Sequence, residues 1–210
     1  MKPEVAALTG VAATGGMVGG GFLAHSLTSK NNQEKTLESH FKSRNLTLIS
    51  FLDDAKEGKQ WSEEFSLDQE AIKKYNSQIT TAEELKSWCQ NNMKLKVEGN
   101  KELVPYVEKW CVLGTVESRI SRTKGKELIS DSDDSGWTKI YDTNSTEDVR
   151  TKIKLTGAKG SAPNNKEADL KVIKGFCSEN KAKTFLAEEK ETVYDLVLKW
   201  CTKDSQGNQA

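Results

Sequence analysis

Histidine occurs twice in this 210-residue chain, proline three times and cysteine four times, and 31 basic side chains cancel 31 acidic ones. Each shortage excludes something. With only His25 and His40 available and no C-x-x-C spacing, no Cys/His set is arranged to hold zinc. The same scarcity leaves no cysteine–histidine nucleophile pair. No cysteine precedes Cys89, so no lipid-bearing cysteine stands near the start. A net charge of zero argues against nucleic-acid binding, which calls for a basic excess on one face. "GAKGSAPNN" (157–165) lacks the Gly-Lys-Ser/Thr ending of a phosphate loop. The acidic residues, though plentiful, form no pair whose spacing singles out acid/base chemistry. The expectation is a protein that is not an enzyme and takes neither cofactor nor metal.

What remains favours helix. Glu, Lys, Ala and Leu are abundant and proline is scarce. The apolar fraction is a low 35% and the charged fraction 30%. Tryptophans nevertheless continue to Trp200, which speaks against an acidic disordered chain. From Val5 to Leu27 there is no Lys, Arg, Asp or Glu. Some 20 helical residues at ~1.5 Å each cross a hydrocarbon core of about 30 Å, so residues 1–30 read as a membrane anchor or signal segment, with membrane contact through 5–27. Gly15-x-x-x-Gly19 and Gly16-x-x-x-Gly20 would allow close approach of a neighbouring helix. Lys30, Lys35, Lys42 and Arg44 follow the segment, a bias that by itself favours a cytoplasmic domain, although long translocated domains escape that rule.

The rest of the chain contains matched blocks, the signature of an internal repeat. "LISFLDD" (48–54) is echoed by "LISDSDD" (128–134), and Trp61 and Phe65 by Trp137 and Tyr141. "LKSWC" (85–89) is echoed by "IKGFC" (173–177), and "VEKWC" (107–111) by "VLKWC" (197–201). The order is the same in both sets, which predicts two tandem copies, 36–115 and 116–203, with 204–210 as a disordered tail. Between the copies, "AKEG" is inserted before Trp61 and extra residues stand around "TGAKGSAPNN" (156–165); both insertions are expected in loops.

Within the blocks, Leu103, Val104, Val107, Trp110 and Cys111 share one stripe of a 3.6-residue helix, as do Val193, Tyr194, Val197, Trp200 and Cys201. Leu85, Trp88 and Cys89 match Ile173, Phe176 and Cys177 at i, i+3 and i+4, and Thr81 to Glu84 reads as a capping box. The Trp61–Phe65 and Trp137–Tyr141 steps suggest an earlier helix, and Leu37–Phe41 and Val116–Ile120 a short lead-in helix. The expected fold is therefore mainly α, two tandem copies of a small helical module after an N-terminal membrane helix, with a minor β contribution from "LTLIS" (46–50). Both cysteines of each copy lie on apolar stripes of helices placed to run antiparallel. Facing stripes would join Cys89 to Cys111 and Cys177 to Cys201, if the domain lies in an oxidising compartment; otherwise the four are small buried hydrophobes. Trp61, Trp88, Trp110, Trp137, Phe176 and Trp200 are expected in the core, beside those cysteines. "DSDDSGWTKIYD" (131–142) imitates a calcium loop, but Thr138 replaces the core aliphatic and Asp142 the long terminal Glu, so a solvated turn before the Trp helix explains the Asp pair better.

An apolar start, then "LIS…DD…W", a "WC" and a "KWC" some 20 residues later, resembles the short paralogous, uncharacterised proteins of haemotropic mycoplasmas. The resemblance implies a membrane-associated or surface-displayed protein, possible antigenic variation, and no catalytic residues to carry over. Two functions follow. One is a surface or interaction protein at the cell membrane, its large domain extracellular and meeting a protein or host-surface partner. The other is a cytoplasm-facing membrane scaffold with reduced cysteines.

Overall fold

The computed structural model describes residues 35–162 and 165–205; the expected anchor (1–30) and residues 206–210 of the expected tail lie outside them. The described chain is mainly helical. The helices are α1 (Leu37–Ser43), α2 (Asp54–Tyr75), α3 (Ala82–Met93), α4 (Val104–Cys111), α5 (Val116–Ile120), α6 (Asp134–Thr143), α7 (Glu147–Thr151), α8 (Lys166–Lys181) and α9 (Asp195–Cys201). Strands β1 (Lys126–Leu128) and β2 (Thr202–Asp204) pair antiparallel, Leu128 opposite Thr202. Asp204 thus ends a strand where the sequence suggested the start of a tail. No described helix is long and apolar enough to cross a membrane.

Local sequence explains most boundaries. Thr36 and Thr115 cap α1 and α5 by accepting the N–H three residues on. Asp53 and Asp133 do the same for α2 and α6, satisfying donors that a helix start leaves open. Thr81 and Glu84 form the reciprocal capping box of α3, and Pro105 sits in the first turn of α4, where its missing N–H costs nothing.

Two apolar cores result, one drawn from Leu37 to Val112 and one from Val116 to Cys201. Their backbone frames use the same contacts. Leu37 N donates to Leu95 O and Val97 N to Lys35 O, both at 2.9 Å; Val116 N donates to Lys183 O at 2.8 Å and Phe185 N to Gly114 O at 2.9 Å. A further bridge joins Leu48 to Val112, as Leu128 joins Thr202. The "LTLIS" segment therefore contributes a single bridge, and Ile49–Phe51 turns into a short 3-10 helix.

The "AKEG" insertion is not in a loop. It forms the first turn of α2, directly after the Asp53 cap. Four residues add about one turn of helix, so Trp61 keeps the direction that Trp137 has four residues after Asp133. Helix α2 leaves helical geometry at Asp68 (φ −113°, ψ 18°), seven residues after Trp61; α6 is capped at its C-terminus by Asn144, seven residues after Trp137. The "TGAKGSAPNN" insertion does form a connection, between α7 and α8.

Candidate functional site

Cys89 and Cys111 are joined as a disulfide with Cα atoms 5.6 Å apart, and Cys177 and Cys201 as another at 5.5 Å. Each closes the end of one helix onto the next, α3 onto α4 and α8 onto α9. All four residues are at most 5% exposed, so each bridge is part of a core and presents no reactive sulfur to solvent.

The flanking aromatics divide. Trp61, Trp110, Trp137 and Trp200 are buried, as expected. Trp88 and Phe176 are only half-buried and pack onto the edge of their cores. Residue i−1 to a buried helical cysteine points about 100° away from it, which places each ring at the rim of its core. Trp88 is held there by an aromatic cluster: ring centroids lie 5.7 Å from Tyr75 and 5.8 Å from Trp110, and Tyr75 lies 4.1 Å from Tyr106.

The feature that sequence reasoning missed is a buried polar seam between the two cores. Gln60, Glu64 and Asp68 recur every four residues on α2, forming one stripe, and all are buried. Opposite them stand Arg119 from α5 and Arg122 just beyond it. Arg119 Nη1 donates to Glu64 Oε2 at 2.8 Å and Nη2 to Glu63 O at 2.5 Å, while its guanidinium lies 3.9 Å from the Phe185 ring centroid. Arg122 Nη1 reaches Glu64 and, at 2.9 Å, Asp68. Gln60 accepts from Ala187 N at 2.8 Å and donates to Phe185 O at 3.4 Å.

Asp68 is the most heavily used of these groups. It accepts from Trp110 Nε1 at 2.9 Å and pairs with Lys109 at 3.2 Å as well as with Arg122. Burial pushes its pKa upward, but Arg122, the Trp110 N–H and Lys109 together hold it below the usual carboxylate range. A carboxyl whose folded pKa lies below its unfolded value of about 3.9 adds stability that is full above that value and drains away as pH falls. Asp68→Asn is therefore expected to cost about 1–3 kcal/mol near neutrality. The gap from the parent chain should narrow as pH drops toward 3, as read from urea midpoints at a series of pH values; a constant gap would contradict it.

The calcium-like segment is occupied otherwise: Asp133 accepts from Gly136 N at 2.8 Å and Ser135 Oγ at 2.8 Å and pairs with Lys203 at 2.7 Å, and residues 134–142 are helical. Among the described residues no group of His, Cys, Asp or Glu is placed to hold a metal ion. A cleft of about 520 Å³ opens beside the seam, between Leu46, Val112 and Leu113 on one side and Ser118 and Arg122 on the other. A second, of about 280 Å³, lies between α6 and α9. No protein-family model, curated protein or solved structure matches the chain.

Proposed function

We propose that the chain is a membrane-tethered, non-enzymatic display protein, with residues 5–27 as its anchor and two tandem copies of a disulfide-clamped helical module on the outer face of the cell, contacting other molecules through their surfaces. The observation that carries this reading is the closure of both cysteine pairs. Structural disulfides persist in oxidising compartments and are rare where glutathione keeps thiols reduced. The tandem part of the reading is supported by the recurrence of the same backbone bridges, caps and cysteine placements on both sides of residue 115. The resemblance to the short paralogous, uncharacterised proteins of haemotropic mycoplasmas implies the same membrane-associated or surface-displayed role.

The test is protease shaving of intact cells, with thiols counted on the unreduced, denatured protein. Loss of the 35–205 region to protease and no free thiol are expected. Four titratable thiols together with full protection would overturn the reading in favour of a reduced, cytoplasm-facing scaffold. Hydrogen exchange tests the tandem part: the amides of Leu37 and Val116, and of Val97 and Phe185, should be protected as matched pairs.

A further inference from the structure

We propose that the cleft between α6 and α9 binds a short acidic helix of a partner protein, in the place that α5 occupies on the first half of the chain. The inference rests on the tandem reading. Counted from the matched tryptophans, Gln60, Glu64 and Asp68 on α2 correspond to Gly136, Ile140 and Asn144 on α6. The first three are covered by α5 and the segment after α8. Their three counterparts line the 280 Å³ cleft, with Leu198 and Lys199 of α9 as the opposite wall. That surface is an interface in one half and part of a cleft in the other, where Ile140 is half-buried while Gly136 and Asn144 are buried.

The sign of the charge is reversed between the two. On α2, Glu64 and Asp68 receive the guanidinium groups of Arg119 and Arg122. On α6 no carboxylate occupies those positions, and Lys139 and Lys199 stand exposed at the rim with no ion pair among the described residues, while the carboxylate that lines the cleft, Asp204, is paired with Lys126 at 2.6 Å. The half-buried Ile140 and Leu198 suit the apolar side of a short helix better than a polyphosphate. A second copy of this chain fits poorly, since its corresponding lead-in helix α1 carries His40 and Lys42 and is followed by Arg44, which the lysines repel.

The probe is a synthetic peptide of residues 114–124 carrying R119E and R122E, offered to the full-length protein with a carbodiimide that couples carboxylates to amines. Lys139 and Lys199 should be coupled several-fold more than Lys73, an exposed lysine on α2, and the excess should vanish for a proline-interrupted peptide of the same length and charge. K139E/K199E should abolish capture of the peptide at the cleft, with an unchanged circular-dichroism spectrum confirming the fold. Even coupling across all lysines, equal coupling of the interrupted peptide, displacement by an oligonucleotide in place of the helix, or cross-links from a second copy's α1 would each overturn the proposal. Matched exchange of the paired amides with no preferred coupling overturns the docking alone; unmatched exchange removes the tandem premise as well.

Discussion

Replacing Cys89 and Cys111 together by alanine should lower the free energy of unfolding by about 3 kcal/mol, and replacing Cys177 and Cys201 should cost about the same, because loops of 22 and 24 residues lose similar closure entropy. Removing both bridges should then take away roughly 6 kcal/mol, a large share of the 5–15 kcal/mol that an ordinary domain possesses. The helices involved make the loss more acute. Helix α4 has 8 residues and α9 has 7, and isolated helices of fewer than about 12 residues are marginal in water. Their order therefore depends on being pinned to α3 and α8. Urea unfolding followed by circular dichroism should show midpoints falling in two comparable steps, with the quadruple variant largely unfolded or molten at 37 °C. A change below about 1 kcal/mol per bridge would mean that the cores hold α4 and α9 without them.

The sequence made the clamps legible because each cysteine sits on an apolar stripe at matched offsets, and an antiparallel return brings matched stripes together. Caps were legible for a similar reason: Thr81 and Glu84 act over three residues, within one turn. Insertions were harder. "AKEG" contains glycine and was expected in a loop, yet it follows an Asp cap and adds about one helical turn, so the helix absorbs it at the modest cost of Gly58. The seam was the least legible part, because Glu64 and Asp68 look like the solvated face of an amphipathic helix, and a balanced net charge hides which acids meet which bases. One signal was present. The two lead-in helices match in apolar positions and in their Thr caps, but Arg119 and Arg122 stand where the first has His40 and Ser43. Such a difference between otherwise matched segments marks a contact that only one of them makes.

Glu64→Leu tests that contact, with an expected loss of about 3–5 kcal/mol, the usual cost of removing one partner from a buried ion pair. Arg119 has 3% of its side chain exposed and would keep its charge with Glu63 alone beside it, and Arg122 would keep only Asp68. Arg119→Leu alone should be costly for the complementary reason, leaving Glu64 with Arg122 as its single partner. The double variant Glu64→Leu/Arg119→Leu should recover much of the loss, because apolar replacement of a buried pair removes both desolvation penalties at once. The coupling between the two sites is then the difference between the double variant and the sum of the singles, and for residues in direct contact it should exceed about 0.5 kcal/mol. Glu64→Gln keeps an acceptor for one guanidinium and should fall between the parent and Glu64→Leu. Additive single effects of less than 1 kcal/mol, within the range of exposed pairs, would show that the seam is wet and that the two cores are held together by the chain and the Gln60 contacts instead.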